Sequence, residues 1–344
     1  MILADAYEAF LLDLDGVVWR GETPIPGAAR VVAELRDRGR RVVFVTNNSS
    51  RTARDFAMKL FRMQIPMESG DVVTSGHAVV AELRRLGLER GERVHVCGGD
   101  GLIRQLAHDG FSPVKETDDV AAVVVGWNPE GVFDDIRKAA DLVRAGLPFI
   151  ASNADPTYPA EGQLLPGTGA IVAAIEVASG KKATVVGKPR PELFRLALAR
   201  AAVPASKALF CGDRASTDVE GARAAGIPAA LVLTGVTTEG ELAGLPHLPQ
   251  HVLDGLPDLL LDLPETGEGQ DRLRLDVGRE GKRVIVRGAH VPAASDRQAA
   301  RIVLRKLLLE AVQGATAVES SEPLRPYLER LGARVEAQLR LPAV

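Results

Sequence analysis

The sequence lacks the features of secreted and membrane proteins. It has only two cysteines, Cys97 and Cys211, and both lie in apolar, strand-like stretches, so we expect two free buried thiols and no disulfide. No apolar run approaches the roughly 20 residues that span a bilayer. The amino terminus, MILADAYEAF, carries acidic residues where a secretory signal has basic ones. We therefore expect a cytoplasmic protein with no membrane partner.

The sequence also lacks a large excess of charge of either sign. The formal net charge is -3 over 344 residues, and no block of basic residues stands out. Because nucleic-acid-binding surfaces concentrate lysine and arginine, we expect no nucleic-acid partner. The six histidines form no ligand spacing with either cysteine, which argues against a zinc site. The hydrophobic share of 46% and the charged share of 25% are typical of a globular enzyme.

An aspartate pair at the end of an apolar run is the most informative motif. Asp13 and Asp15 stand in AFLLDLDG, which reads as a buried strand that leads into a loop. Buried, unpaired carboxylates are costly, so the pair indicates a metal, a cationic partner or catalytic work. The alternative is an ordinary turn at the end of a strand, since Asp and Gly are common there.

Three more polar clusters follow short β-branched runs. Thr46 and Asn47 follow RVVFV, Lys188 follows ATVVG, and Asp213 and Asp218 follow KALFCG. In a parallel α/β sheet the binding site forms outside the carboxyl ends of the strands. We therefore expect these four clusters to converge on one site.

Short apolar strands alternate with amphipathic helical patterns, which is the signature of βαβ units and an α/β fold with a parallel sheet. Gly39 and Gly226 are expected to follow helices, and Pro191 to open one. From about residue 75 to residue 184 the alternation continues without paired acids, which indicates an insertion. The stretch 264–272 reads as a linker to a small C-terminal segment with two strands and two helices.

The residue types support phosphoryl transfer. A carboxylate can attack phosphorus to form an aspartyl-phosphate, and a second acid can protonate the leaving oxygen and then deprotonate water. Asp13 and Asp15 supply that pair. A phosphate dianion beside these acids requires a screening cation, and Mg2+ prefers hard oxygen ligands such as Asp13 and Asp213.

The remaining polar residues fit supporting roles. Lys188 would hold the phosphoryl oxygens or orient the nucleophile, and Thr46 and Asn47 offer a hydroxyl and an amide as donors. Alternatively, Lys188 is a solvated loop residue, and TNNSSR caps the next helix. Asp218 fits an acid that positions ligands, or a charge that favours the N-terminus of the next helix.

The motifs DLDGV at 13–17, VTNNS at 45–49, GKP at 187–189 and GDRASTD at 212–218 resemble the haloacid dehalogenase-like phosphatases. PIPGA at 24–28, SNADPTYPAEGQLLPGTGA at 152–170 and VVGKPRPELF are similar to the NagD-type subclass IIA. The resemblance covers roughly residues 8–262.

The resemblance implies a fold and a domain order: a Rossmann-like parallel-sheet core, an inserted α/β cap of C2 type, and a small C-terminal α+β domain. The expected ranges are 1–76 and 185–264 for the core, 77–184 for the cap and 265–344 for the C-terminal domain.

The resemblance also implies residue roles. Asp13 would be the nucleophile, Asp15 the general acid and base, and Lys188 the cation that neutralises phosphate. Thr46 and Asn47 would contact phosphate. Mg2+ would bind Asp13, Asp213 and the backbone carbonyl of Asp15.

In this subclass a cap loop selects the leaving group, so the segment 155–159 is expected to set specificity. Tyr158 could contact a small polar substrate, or it could pack within the cap. Family members act on phosphoglycolate, glycerol phosphate, nucleoside monophosphates, pyridoxal phosphate and aryl phosphates. The C-terminal segment is similar to the acetyltransferase-like appendage of the glycerol 3-phosphate phosphatases. It shows no glycine-rich pyrophosphate loop, so we expect packing or a homodimer and no acetyl transfer.

These features predict a Mg2+-dependent phosphatase that acts on glycerol 3-phosphate, with 2-phosphoglycolate or another small metabolite as the alternative. A phosphotransferase or phosphomutase, which passes the aspartyl-phosphate to a sugar hydroxyl, stays open. A binding protein without turnover would be expected to lack one of the acids, yet Asp13, Asp15 and Asp213 are all present.

Overall fold

The computed structural model describes residues 2–131, 133–160, 163–262, 275–280 and 283–288. Between 302 and 339 it describes 302, 305, 306, 308–310, 312, 313, 317–321, 325–330, 333 and 335–339. Its central feature is a six-stranded sheet in which every neighbouring pair is parallel. The strands, in spatial order, are His251–Leu253, Ala229–Val232, Ala208–Gly212, Ala9–Asp13, Arg41–Thr46 and Val72–Thr74.

The strand Ala9–Asp13 lies in the middle of this sheet and is buried along its whole length. Its side chains alternate between two apolar clusters: Leu11 packs with Phe210 on one face, whereas Phe10 packs with Phe44 on the other. Helices cover both faces of a parallel sheet, so its central strands are apolar throughout. The predicted parallel-sheet α/β fold is confirmed.

A second parallel sheet has five strands. They are, in spatial order, Thr184–Val185, Phe149–Ala151, Ala122–Val125, Arg93–Cys97 and Ser112–Val114. All of its strands come from the chain between two halves of the six-stranded sheet, as the predicted insertion requires. The predicted boundary at residue 184 falls inside the strand Thr184–Val185, and the domain limits themselves stay predictions.

The strand that precedes Lys188 does not belong to the six-stranded sheet. Thr184–Val185 pairs with Phe149–Ala151 in the five-stranded sheet, whereas the strands that precede Asp13 and Asp213 lie in the six-stranded one. The strand has only two residues, and its local sequence carries no information about which sheet it joins.

Two small antiparallel ribbons stand beside the sheets. Trp19–Arg20 pairs with Thr23–Pro24, and Thr157–Ala160 pairs with Gln163–Pro166. The first ribbon follows the strand Ala9–Asp13 directly, so it positions side chains near the end of that strand.

The helix ends agree with the positions of glycine and proline in the sequence. Gly39 and Gly226 follow helices with φ angles of 73° and 71°, and Pro191 opens a helix, as predicted. The helices are Leu3–Ala6, Ala28–Asp37, Ala53–Arg62, Ser75–Arg85, Asp100–His108, Phe133–Arg144, Thr168–Ser179, Pro191–Ala201, Glu220–Ala224 and Arg325–Arg330, with 3-10 turns at Ala205–Lys207, Glu239–Gly244 and Leu256–Leu260 and a π turn at Ala215–Val219. Within the described ranges, no helix has both the length and the apolar character needed to cross a membrane.

The C-terminal segment contains a mixed four-stranded sheet with the strands Leu275–Glu280, Arg283–Gly288, Ala317–Ser321 and Val335–Leu339. The two predicted strands are present, and the last two were not predicted. The predicted linker at 264–272 lies outside the described residues. The cysteine prediction is confirmed, since Cys97 and Cys211 are free and buried.

Candidate active site

One cavity of about 350 Å³ is lined by every residue that the sequence singled out. These are Asp13, Asp15, Thr46, Asn47, Tyr158, Lys188, Asp213 and Asp218. Asp13, Thr46 and Asp213 stand at the carboxyl ends of three neighbouring strands of the six-stranded sheet, which is where a parallel sheet presents a binding site. The predicted convergence is therefore observed.

Three buried carboxylates meet at the bottom of this cavity. Asp13, Asp213 and Asp218 each have a carboxylate oxygen within 4.8 Å of the others. Burial raises the pKa of Asp13 well above its ordinary value, and the charges of Asp218 and Asp213 raise it further, against the opposing effect of a nearby lysine. Burial and the charge of Asp218 raise the pKa of Asp213 to about 6. Ionising these carboxylates therefore costs free energy, and a bound cation would offset that cost.

Lys188 bridges two of these carboxylates. Its Nζ lies 2.8 Å from Asp13 Oδ1 and 2.7 Å from Asp218 Oδ1, and its side chain is only 4% exposed. Burial alone would lower the pKa of Lys188, but the two carboxylates raise it above its ordinary value. Lys188 therefore stays protonated next to Asp13. The alternative of a solvated loop lysine is wrong.

Asp218 holds the loop after the strand Ala208–Gly212. It lies in the π turn Ala215–Val219, where its Oδ2 accepts the backbone N–H groups of Asp213 and Arg214 at 3.1 and 3.0 Å. One carboxylate thus fixes both the Asp213 backbone and the Lys188 ammonium group. This geometry agrees with the positioning role that the sequence analysis expects, and that role stays a prediction.

The donor set around Asp213 fits a small divalent cation. Its Oδ2 accepts the Val236 N–H at 2.7 Å. Gly16 and Gly235 flank the carboxylate so closely that a Cβ at either position would overlap it, and the φ of +82° at Gly16 also disfavours other residues. Carboxylate oxygens are the ligands that Mg2+ prefers, and three carboxylates lie together here. Asp13 and Asp213 are thus suited to hold such an ion.

Asp15 points its carboxylate at an indole. Its Oδ1 accepts a hydrogen bond of 2.9 Å from Trp19 Nε1. Burial raises the pKa of Asp15, while the Trp19 bond and the charge of Lys59 oppose that rise. A raised pKa favours the protonated form that a general acid needs. Trp19 was not predicted as a site residue, although it follows Asp15 by four residues in DLDGVVWRG.

Lys59 is a second residue that the sequence analysis missed. It belongs to the helix Ala53–Arg62 but is only 5% exposed, with its Nζ 4.3 Å from the centroid of the Trp19 ring. The ammonium group donates to Gly21 O at 2.6 Å and lies 3.2 Å from Glu22 Oε1. In the sequence, Lys59 is indistinguishable from a surface lysine of an amphipathic helix.

Asn47 links the two large sheets through its side chain. Its Oδ1 accepts the Lys188 N–H at 2.7 Å, and its Nδ2 donates to Lys188 O and to Asp155 Oδ2, both at 3.1 Å. Both side-chain N–H groups are used within the protein, so the predicted contact with phosphate stays a prediction and would need an exchange of partners. Neither Asn47 nor Thr46 caps the next helix, because Thr52 does so through a capping box with Asp55. The capping alternative is wrong.

Thr46 ends the strand Arg41–Thr46. Its Oγ1 accepts the Asn48 N–H at 3.1 Å, which orients the hydroxyl and leaves it able to donate its own hydrogen. The hydroxyl lines the cavity together with Asp13. This placement suits the phosphate contact that the sequence analysis expects.

Tyr158 forms one wall of the cavity with Trp127. The two rings stack with centroids 4.1 Å apart, and Trp127 Nε1 donates to Pro166 O at 3.0 Å. Tyr158 therefore packs against a neighbour and also lines the cavity, so the two interpretations of its role are compatible. Trp127 follows the predicted strand AAVVVG and was not identified as a site residue.

Family models match the two parts of the chain that form the six-stranded sheet. The model described as haloacid dehalogenase-like hydrolase matches residues 10–112, and the model described as HAD-hydrolase-like matches residues 185–259.

Several similar proteins are named as phosphatases. A D-glycerol 3-phosphate phosphatase from Mycobacterium tuberculosis is 41% identical over 237 residues, which cover 69% of this chain and 65% of that protein. The solved structure of a glycerol phosphate phosphatase from Mycobacterium tuberculosis, in complex with magnesium, matches at 33% identity with a TM-score of 0.81, over 96% of this chain and 98% of that chain. NagD from E. coli matches at 30% identity with a TM-score of 0.68, over 75% of this chain and 99% of its own.

Proposed function

The chain belongs to the haloacid dehalogenase-like hydrolases, in their NagD-type subclass, and from this premise we propose that it is a Mg2+-dependent phosphatase acting through an aspartyl-phosphate on glycerol 3-phosphate. The observation that carries the proposal is the contact between Asp13 and Lys188 at the bottom of the cavity. It places a carboxylate nucleophile beside a fixed positive charge in a site that could receive a phosphate group.

In the first step, an oxygen of the Asp13 carboxylate attacks phosphorus, and the bond between phosphorus and the ester oxygen breaks. Asp15 gives its proton to the departing oxygen, so that the product leaves as a neutral alcohol. Lys188 and the Thr46 hydroxyl stabilise the charge on the phosphoryl oxygens. The raised pKa of Asp15 favours the protonated form that this step uses.

In the second step, water attacks the phosphorus of the aspartyl-phosphate while Asp15, now ionised, accepts a proton from the water. The bond between phosphorus and the Asp13 oxygen breaks, inorganic phosphate is released, and the Asp13 carboxylate and the protonated Asp15 are restored. Asp218 takes no part in bond changes; it keeps Lys188 and the Asp213 backbone in place. A Mg2+ ion held by Asp13 and Asp213 would neutralise the negative charge between the phosphate and the carboxylates.

Glycerol 3-phosphate is proposed as the substrate for two reasons. The 41% identical relative is named for this activity. The cavity of about 350 Å³ also lies under the Trp127 and Tyr158 rings, where the Tyr158 hydroxyl could bond to a small polyol.

A phosphate-release screen tests the proposal. The purified full chain is assayed with Mg2+ against glycerol 3-phosphate, 2-phosphoglycolate, nucleoside monophosphates, pyridoxal phosphate and p-nitrophenyl phosphate. We expect the highest kcat/KM with glycerol 3-phosphate. A clear preference for another metabolite would replace the substrate, and transfer to an added alcohol without stoichiometric phosphate release would replace hydrolysis by phosphotransfer.

The matched variant is Asp13→Asn, which is nearly isosteric but has no charged nucleophile. We expect it to bring phosphate release to background while the protein stays folded by circular dichroism. Turnover close to wild type, with deamidation excluded by mass spectrometry, would contradict the covalent mechanism.

A further inference from the structure

We propose that Trp19 is a positioning residue for leaving-group protonation: its indole N–H fixes the Asp15 carboxyl toward the leaving oxygen, and Lys59 holds that indole in place. The proposal rests on the proposed function, because it assigns supporting roles to two further residues in the same reaction. Neither residue touches the substrate; both act through Asp15.

The first observation is the hydrogen bond itself. Asp15 stands two residues beyond the strand Ala9–Asp13, in a loop, so the strand does not fix its side chain. The bond of 2.9 Å from Trp19 Nε1 to Asp15 Oδ1 supplies that restraint and leaves the other carboxyl oxygen to carry the reactive proton. A donor fixed on one oxygen therefore selects which oxygen faces the substrate.

The second observation is that Trp19 itself is rigid. Its side chain is fully buried, and its ring is stacked on Phe56 with an interplanar angle of 12°. Its backbone is held by the turn in which Trp19 N donates to Leu14 O and Gly16 N donates to Trp19 O. A buried, stacked indole cannot swing, so its N–H points in one direction.

The third observation is the buried cation above the ring. The Lys59 ammonium group lies 4.3 Å from the indole centroid and is tied to Gly21 O in the hairpin that begins with Trp19. Burial of a lysine is costly unless its charge is matched, and the carboxylate that pairs with Lys59 at 3.2 Å belongs to the exposed Glu22. The indole face and the Gly21 carbonyl complete its surroundings. Lys59 thus fixes both the hairpin and the ring that orient Asp15.

The test uses the acidity of the leaving group, because protonation matters most when the departing alcohol is weakly acidic. In Trp19→Phe the ring stack remains but the N–H is lost. We expect kcat/KM for glycerol 3-phosphate to fall by about 30-fold, which is part of the roughly 100- to 10,000-fold that general acid catalysis supplies, whereas kcat/KM for p-nitrophenyl phosphate changes by less than about threefold. The ratio kcat/KM reports on the step in which the ester bond breaks.

A series of aryl phosphates makes the comparison independent of substrate shape. We expect log kcat/KM to depend more steeply on leaving-group acidity in Trp19→Phe than in wild type. An equal loss with every leaving group would show a merely structural role and would overturn the proposal. Unchanged kinetics in a folded Trp19→Phe variant would overturn it as well.

Lys59 provides a second pair of variants if Trp19→Phe does not fold. Lys59→Met removes the charge and the contact with Gly21 O, whereas Lys59→Arg keeps both. We expect a steeper leaving-group dependence in Lys59→Met and a wild-type dependence in Lys59→Arg. If the two variants behave alike, the proposal is wrong. Activity retained in Asp13→Asn, by contrast, would contradict the proposed function and not this assignment alone.

Discussion

The Asn47 side chain forms hydrogen bonds with both backbone polar groups of Lys188. Its Oδ1 accepts the Lys188 N–H at 2.7 Å, and its Nδ2 donates to the Lys188 carbonyl at 3.1 Å. Asn47 follows a strand of the six-stranded sheet, whereas Lys188 follows the edge strand of the five-stranded sheet. The Asn47 carbonyl accepts from Ser75 Oγ and Asn153 Nδ2 as well. This one residue therefore sets where the Lys188 ammonium group stands relative to Asp13.

Asn47→Ala should lower kcat without unfolding the protein. Without the two Asn47 hydrogen bonds, the Lys188 backbone can move away from Asp13. A displaced Lys188 ammonium group near the reacting phosphate lowers kcat by roughly 10- to 100-fold. Steady-state kinetics with p-nitrophenyl phosphate measures the loss. Asn128→Ala is the matched control, since the Asn128 side chain accepts the nearby backbone N–H of Glu130, and it should keep the wild-type kcat. A wild-type kcat in Asn47→Ala would show that these hydrogen bonds are not needed to position Lys188.

The sequence predicted those features that depend on strand order along the chain. Asp13 and Asp213 follow long apolar runs, so the general rule for parallel sheets was enough to bring them together. The sheet that Lys188 follows could not be predicted, because a two-residue edge strand has almost no pattern of its own. The role of Lys59 depends on a contact with a hairpin 38 residues away, which helical periodicity cannot reveal.

Removal of divalent cations should abolish turnover and lower thermal stability. A ligand that binds only the folded state stabilises it by about 2.7 kcal/mol at a concentration 100 times its Kd, so Mg2+ should raise the Tm of the wild-type protein after EDTA treatment. Differential scanning fluorimetry with increasing Mg2+ measures this rise. Phosphate release should return over the same concentration range.

The matched variants for the metal are Asp213→Asn and Asp71→Asn. Asp213 is a proposed ligand, so Asp213→Asn should lose most of the Mg2+-dependent rise in Tm. Asp71 is also buried but pairs with Arg36 away from the cavity, so Asp71→Asn should have a lower Tm and keep the full rise. The same Mg2+ response in both variants would argue against Asp213 as a ligand.

Tyr158→Phe separates packing from substrate contact, because it keeps the stack on Trp127 and removes only the hydroxyl. If the hydroxyl bonds to the polyol, kcat/KM for glycerol 3-phosphate should fall by about three- to tenfold, as expected for one hydrogen bond. The value for p-nitrophenyl phosphate should stay the same. Equal values for wild type and variant with both substrates would leave packing as the only role of Tyr158.

Acid should destabilise the protein in part through His251. Burial, with a smaller effect from the positive charge of Lys306, lowers the pKa of His251 from 6.5 to about 4 in the folded state. The unfolded chain therefore binds a proton below pH 6.5 that the folded protein does not bind until about pH 4. The stability from the neutral ring is complete above pH 6.5 and is lost progressively toward pH 4, by at most about 3 kcal/mol.

His251→Gln tests this, because a glutamine amide can still form the hydrogen bond that links His251 Nε2 to the Tyr7 hydroxyl, 3.2 Å away. Urea unfolding at pH 7 and at pH 5 should show a smaller acid-induced loss in the free energy of unfolding for the variant than for wild type. Some loss should remain, because burial lowers the pKa of His95 as well. His108→Gln, at an exposed helix end, should lose as much stability as wild type. The same loss in His251→Gln would mean that another group controls stability in this pH range.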